Sequence, residues 1–183
     1  MERINPRARA DQYGKRLNRE QSALLAYTLP YLSIMLGSLL PALPLAVGMP
    51  IIPPVGFVML LAWRAMRPGL MPLWIGVPLG AFDDLFSGQP FGSAILLWSL
   101  AMIALELVET RFPWRGFWQD WFSAGIVIVL YLLLAIPAAG IVPNIHLLFA
   151  ILPQMLLSVL LYPIISRMVA ALDTLRLTRF WRI

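Results

Sequence analysis

The amino-acid sequence lacks cysteine altogether and contains a single histidine, His146. The absence of cysteine excludes disulfide bridges and thiolate metal sites, and one histidine cannot supply the several imidazole ligands of a histidine-based metal site. Charge is also scarce, because 13% of the residues are charged, where soluble domains carry about 25%. Since 60% of the residues are hydrophobic and the mean hydropathy is +0.79, the composition indicates a protein whose solvent is largely lipid.

The positive charges are unevenly placed along the chain. The 14 basic residues fall into four groups, which lie at the N-terminus, at Arg64 and Arg67, at Arg111 and Arg115, and from Arg167 onward. Between these groups run uncharged or nearly uncharged segments long enough to cross a bilayer, for which a helix needs about 20 residues. The net charge of +5 therefore does not indicate a nucleic-acid-binding domain, since no soluble core is left to carry a basic patch.

The apolar segments predict an all-α integral membrane protein, a compact bundle of about six transmembrane helices with both termini cytoplasmic. Six crossings place every basic residue on one side, which the positive-inside rule makes cytoplasmic. We expect a basic cytoplasmic N-terminal segment 1–21, a transmembrane domain 22–166 and a basic amphipathic cytoplasmic tail 167–183. Proline, glycine and charge place the helices at about 22–41, 51–66, 70–86, 91–109, 120–139 and 145–166.

Two adjacent acids, Asp83 and Asp84, lie at the end of the third predicted helix. Gly76 and Gly80 on the same helix form a small-xxx-small pair, which lets two helices approach closely. At about 100° per residue, Asp83 lies about 20° from the direction of Gly76, whereas Asp84 lies about 80° away on the other side. This favours Asp83 as the inward acid. Three interpretations stay open: a hydrated periplasmic cap, pairing with a partner or a neighbouring helix, and ion or substrate chemistry.

The two acids do not resemble a catalytic pair. Adjacent helical residues point about 100° apart, whereas catalytic carboxylates converge on one bond or share a proton. The sequence also contains no phosphate-binding Walker loop, no HExxH zinc motif and no GxSxG nucleophile motif. We therefore expect no catalytic, cofactor-binding or metal-binding residues and no enzymatic activity.

Two short polar segments join the predicted helices. The segment 87–92 predicts a tight turn, in which Gly88 takes a positive φ angle and Pro90 begins the next helix. This turn serves either chain reversal alone or recognition on the periplasmic side. Arg64 and Arg67 lie in a short cytoplasmic turn, where they either set the topology and bind the phosphates of anionic lipids or dock a partner.

The remaining polar residues of the predicted spans are expected to be structural. Glu106 and Glu109 lie one turn apart near the end of the fourth predicted helix. We expect them to pair with Arg111, Arg115 or lipid headgroups. His146 and Gln154 stand alone on the last predicted helix, and we expect both to be hydrogen-bonded packing residues rather than ligands.

One sequence pattern resembles a known family. From Leu79 to Gly92 the chain reads Leu-Gly-x-x-x-Asp-Leu-x-x-Gly-x-Pro-x-Gly, and this spacing resembles the rod shape-determining protein MreD in its proteobacterial form. The acid of this pattern is Asp84, whereas the helical wheel favours Asp83, and both assignments stay open. Outside the 50–100 region the likeness is one of hydropathy alone. The wider run adds Pro53, Pro54, Phe57, Trp63, Arg64, Arg67, Pro68, Pro72 and Trp74.

The resemblance implies a non-enzymatic scaffold subunit of the cell-elongation complex, a multi-pass protein of the bacterial inner membrane that maintains cell shape. The implied partners are MreC, the RodA glycosyltransferase with its penicillin-binding transpeptidase, and the MreB filament, reached directly or through other subunits. The family is also similar in fold to the six-helix substrate-binding components of energy-coupling-factor transporters, which implies a small-molecule-binding membrane subunit as the alternative. The candidate contact residues are Gly76, Gly80, Asp83, Asp84, Gly88, Pro90, Gly92, Arg64 and Arg67.

Overall fold

The structure, a computed structural model, describes residues 23–42, 52–111 and 116–177. Within these ranges the chain forms six α-helices, three short 3-10 helices and no β-strand, which confirms the predicted all-α class. The predicted segment 1–21, Arg115 and residues 178–183 of the predicted tail lie outside the described residues. The α-helices are α1 (Ala23–Leu39), α2 (Val55–Met66), α3 (Gly76–Phe86), α4 (Ser93–Arg111), α5 (Phe117–Ala138) and α6 (Ile145–Leu177).

Three of these helices are long and apolar enough to cross a membrane, namely α4, α5 and the part of α6 over Ile145–Arg176. Water would hydrate their outer surface poorly, because it is lined by large apolar side chains. Hydrocarbon solvates such a surface well, so the three helices indicate a membrane protein. On α6 the exposed apolar residues follow the helical repeat, at Phe149, Leu152, Leu156, Leu160 and Ile164.

The helix α2 lies at the centre of the bundle. All nine residues from Gly56 to Arg64 are buried, as expected for a helix that is apolar on every side. It packs against α1, α5 and α6. The helix α1 approaches it closely, since an added Cβ atom at Gly37 would lie 3.0 Å from the Cα atom of Gly56. The core therefore forms around a short helix that its neighbours enclose.

The helix α3 begins later than the sequence predicts. The predicted start is near residue 70, but residues 68–70 and 73–75 form two 3-10 helices and the α-helix starts at Gly76. Pro72 lies between the two 3-10 helices in an extended conformation, and its missing N–H interrupts the helical hydrogen bonds. Pro78 is tolerated because it lies in the first turn of α3, where a backbone N–H would lack a helical partner.

The helix α6 extends beyond the predicted end of the last span. We expected that helix to end near residue 166, yet α6 continues to Leu177. No glycine or proline occurs between Pro163 and Leu177, so nothing in the chain interrupts the helical hydrogen bonds there. The first part of the predicted tail, residues 167–177, is therefore a continuation of the last helix.

Candidate functional site

The helices α3 and α4 form a tight hairpin whose contact surface is built on two glycines. An added Cβ atom at Gly76 would lie 3.0 Å from the Cα atom of Ser99, and one at Gly80 would lie 2.7 Å from the carbonyl oxygen of Ala94. Both distances are shorter than ordinary van der Waals contact, so glycine is what lets the two backbones meet. The face that the sequence predicts for close packing is occupied by the chain's own α4.

Asp84 joins the end of α3 to the beginning of α4. Its buried carboxylate accepts hydrogen bonds from the main-chain nitrogens of Gly92 (2.8 Å), Ala94 (2.8 Å) and Ile95 (3.3 Å). It also accepts one from the hydroxyl of Ser93 (3.1 Å). The first N–H groups of a helix have no partner within the helix, and a negative charge there is favoured by the helix dipole. Asp84 thus caps α4 from across the turn.

The turn between the two helices depends on glycine. Gly88 has φ +70° and Gly92 has φ +101°, which is a region that side chains disfavour. Pro90 lies between them, and its carbonyl oxygen accepts a hydrogen bond of 3.1 Å from the main-chain nitrogen of Ser93. The predicted positive φ at Gly88 is confirmed, and α4 begins just after Pro90 rather than at it.

Asp83 faces away from α4 and lines a polar cavity. Its side chain is 8% exposed, and the cavity, about 320 Å³ in volume, lies among α1, α2, α3, α5 and α6. We call it the Asp83 cavity. Both acids are therefore buried, Asp84 against α4 and Asp83 within the bundle. The polar side chains that line the cavity are Ser38, Asp83, Ser87, Gln89, Tyr131 and Gln154.

Three of these polar residues come from helices far away in the sequence. Ser38 is 2% exposed and lies beside the Asp83 carboxyl group, but its hydroxyl makes no hydrogen bond of ordinary geometry within the described ranges. Tyr131 of α5 stacks on Phe57 with ring centroids 4.1 Å apart. Gln154 of α6 donates a hydrogen bond of 2.7 Å to the carbonyl oxygen of Ile52. Gln154 is hydrogen-bonded, as predicted, whereas sequence reasoning missed Ser38 and Tyr131, for which no local signal exists.

Arg64 of α2 is buried beside the end of α4 that lies farther from Asp84. Its side chain is 4% exposed and pairs with Glu106 and with Glu109, the latter at 3.1 Å. It also donates hydrogen bonds to the carbonyl oxygens of Met71 and Pro68. The acids that we expected to pair with Arg111, Arg115 or headgroups are thus partners of Arg64. Their separations of 42 and 45 residues from Arg64 hide these contacts from sequence reasoning.

Arg67 ties the end of α2 to α6. Its side chain is 49% exposed and lies 3.1 Å from the carboxylate of Asp173, which also pairs with Arg176 at 2.9 Å. The guanidinium of Arg176 lies 6.0 Å from the ring centroid of Trp63, within the range of a cation–π contact. These ion pairs hold the arginine-containing end of α6 against α2.

The described residues contain no group of three or more His, Asp or Glu side chains that could hold a metal ion. Comparison of the whole chain with protein-family models, with curated proteins and with solved structures finds no match. The likeness to the MreD family therefore rests on the residues of the 53–92 run and stays a prediction.

Proposed function

We propose that this protein is a non-catalytic scaffold subunit of the bacterial cell-elongation complex, located in the inner membrane. In this role it links MreC to the RodA glycosyltransferase and its penicillin-binding transpeptidase. It also links the MreB filament to them, directly or through other subunits. The observation that carries the proposal is the Leu79–Gly92 pattern. Its glycines and Asp84 all serve one hairpin and its turn, so the resemblance covers a folded element rather than scattered positions.

Leu85 is the large apolar residue of this pattern that the fold leaves exposed. Its side chain is 67% exposed, and that of Phe91 in the following turn is 71% exposed. Large apolar side chains held on a rigid element are suited to anchor a contact with another protein. In the proposed complex Leu85 and Phe91 contact a partner subunit, while Gly76, Gly80 and Asp84 keep the hairpin in shape.

The proposed topology has six crossings, with both termini and the arginine-rich end cytoplasmic. Asp84 contacts the beginning of α4, whereas the Arg64 ion pairs lie near its end. The 19 residues of α4 span about 28 Å, close to the roughly 30 Å of a bilayer's hydrocarbon. The two polar regions lie near the two ends of this helix, which suits the two interfaces, and the positive-inside rule assigns the arginines to the cytoplasm.

The test is co-purification from membranes of the source bacterium, with the tagged full-length protein as bait. We expect MreC and RodA to be captured by the wild type and capture to fall about tenfold with Leu85→Ala, the loss expected for one anchor residue. Leu100→Ala is the matched control, because Leu100 is also an exposed leucine of the hairpin, at 47% exposure. Deletion of the gene should convert rods to rounded cells.

Two results would separate the parts of this proposal. If the wild type captures neither MreC nor RodA and its deletion leaves cell shape unchanged, the scaffold role is wrong. If the wild type captures both and Leu85→Ala captures them equally well, the role stands but the hairpin tip at Leu85 is not the contact. Equal membrane levels of the two variants are checked by immunoblot before capture is compared.

A second candidate, a small-molecule-binding membrane subunit, is favoured by the Asp83 cavity. Ligand sites combine apolar walls with a few convergent polar groups, in volumes of roughly 300–1,000 Å³. The Asp83 cavity has such a lining and about 320 Å³. Retention of a small molecule by the purified protein, seen by mass spectrometry after denaturation, would favour this function over the scaffold role.

A further inference from the structure

The Asp83 carboxylate has no counter-ion within the described part of the chain. Asp84 is balanced by the N-terminus of α4, whereas Asp83 takes part in none of the ion pairs among the described residues. Arg64, Arg67 and Arg176 are engaged with other acids. The connecting segment 43–51, which precedes the lining residue Ile52, contains no charged residue. A buried carboxylate without a partner is costly, and a bound cation would remove that cost.

The hydroxyl of Ser38 is a second buried polar group, beside the Asp83 carboxyl group. It is 2% exposed, borders the Asp83 cavity and forms no hydrogen bond of ordinary geometry within the described ranges. A buried hydroxyl without a well-formed hydrogen bond is unfavourable. A ligand that donates hydrogen bonds to both Ser38 and Asp83 would satisfy the two groups at once.

The rest of the lining indicates an organic ligand rather than a metal ion. Calcium takes six to eight oxygen ligands, commonly from several carboxylates, and Asp83 is the single carboxylate among the described residues that line this cavity. Apolar side chains also line the cavity, among them Ile52, Val55 and Ile151. A carboxylate and hydrocarbon in one cavity suit a cationic head on an aliphatic stem.

We propose that the Asp83 cavity binds an alkylammonium group. The ammonium donates hydrogen bonds to the carboxylate of Asp83 and to the hydroxyl of Ser38, since –NH₃⁺ has three donors and no acceptor. Its alkyl stem lies against Val55 and Ile151. The group is carried either by a free small amine or by the lysine side chain of a peptide, and the chemistry of recognition is the same for both.

The test is calorimetric titration of the purified full-length protein in nanodiscs. The probes are n-butylamine, its neutral isostere 1-butanol, free lysine, and Nα-acetyl-lysine-N-methylamide, which mimics a lysine within a peptide. We expect at least one amine to bind and butanol not to bind. Asp83→Asn should weaken binding about 10- to 100-fold, because a charge-assisted hydrogen bond is lost. Ser38→Ala should weaken binding less. Asp83→Glu is the matched control that keeps the charge, and it should retain most of the binding.

The outcomes decide both the inference and the source of the amine. Binding of butylamine or free lysine indicates a free small amine, whereas binding of the peptide mimic alone indicates a lysine side chain. If no amine binds, if butanol binds equally well, or if Asp83→Asn leaves binding unchanged in a protein that elutes as the wild type does, the inference is wrong. It does not depend on the scaffold role, and its failure leaves the capture of MreC and RodA unaffected.

Discussion

The carboxylate of Asp84 accepts a 2.8 Å hydrogen bond from the main-chain nitrogen of Ala94, one turn away from the point where Gly80 meets the carbonyl group of the same Ala94. Gly80 and Asp84 are four residues apart and therefore share one face of α3. The first turn of α4 is thus held by a close backbone contact and by a capping acid together. This relationship explains the Gly-x-x-x-Asp spacing of the sequence pattern.

Replacing Asp84 should destabilise the protein more than an ordinary surface change. Asp84→Ala leaves several buried donors at the start of α4 without an acceptor, and we expect a loss of about 2 kcal/mol or more in the free energy of unfolding. Asp84→Asn should lose less, because the amide oxygen still accepts. Unfolding by SDS in mixed micelles, followed by circular dichroism, measures both. An Asp84→Ala variant as stable as the wild type would contradict the capping role.

Adding one methyl group at Gly80 should separate α3 from α4. A Cβ atom there would lie 2.7 Å from a backbone oxygen, whereas one at Gly69 would meet nothing within 4 Å. Gly80→Ala should therefore cost about 1–3 kcal/mol of stability, and Gly69→Ala, its matched control, should be neutral or slightly stabilising. The same SDS titration compares the two. Equal effects at the two positions would mean that the helices are not held this closely.

The two arginines of the 64–67 turn should differ in their contribution to stability. Arg64 is buried at 4% exposure and satisfies two acids, whereas Arg67 is 49% exposed. Arg64→Ala should cost about 3 kcal/mol, because it removes a buried guanidinium that pairs with two acids and donates to two main-chain carbonyl oxygens. Arg67→Ala should cost no more than about 1 kcal/mol, and less at high salt. Thermal unfolding in detergent at two salt concentrations gives the ranking, and a larger effect of Arg67 would reverse our assignment.

The absence of cysteine makes the topology directly testable. Phe91→Cys and Thr110→Cys introduce single thiols at exposed positions near opposite ends of α4. In the proposed topology a membrane-impermeant maleimide labels Phe91→Cys in intact spheroplasts and labels Thr110→Cys only after permeabilisation. Labelling of both positions from the same side would refute the crossing of α4.

The sequence by itself determined the elements that depend on neighbouring residues. The lengths of the apolar segments located α4 and α5 to within a few residues. Gly88 and Pro90 located the turn, because both residues act through local backbone preferences. The start of α3 was predicted too early, since Pro72 allows 3-10 turns that the apolar run conceals. The end of α6 was predicted too early as well, because the change from apolar to charged residues at Arg167 marks no break in the helix.

Only the tertiary structure decided the roles of the two adjacent acids. The wheel argument compared Asp83 with Gly76 alone, but helices that cross pack along rows of every fourth residue, and the row through Gly76 and Gly80 continues to Asp84. The cavity that Asp83 lines takes Ser38 from α1 and Tyr131 from α5. The partners of Arg64 lie 42 and 45 residues away. Such contacts follow from how whole helices pack, and no spacing within one helix encodes them.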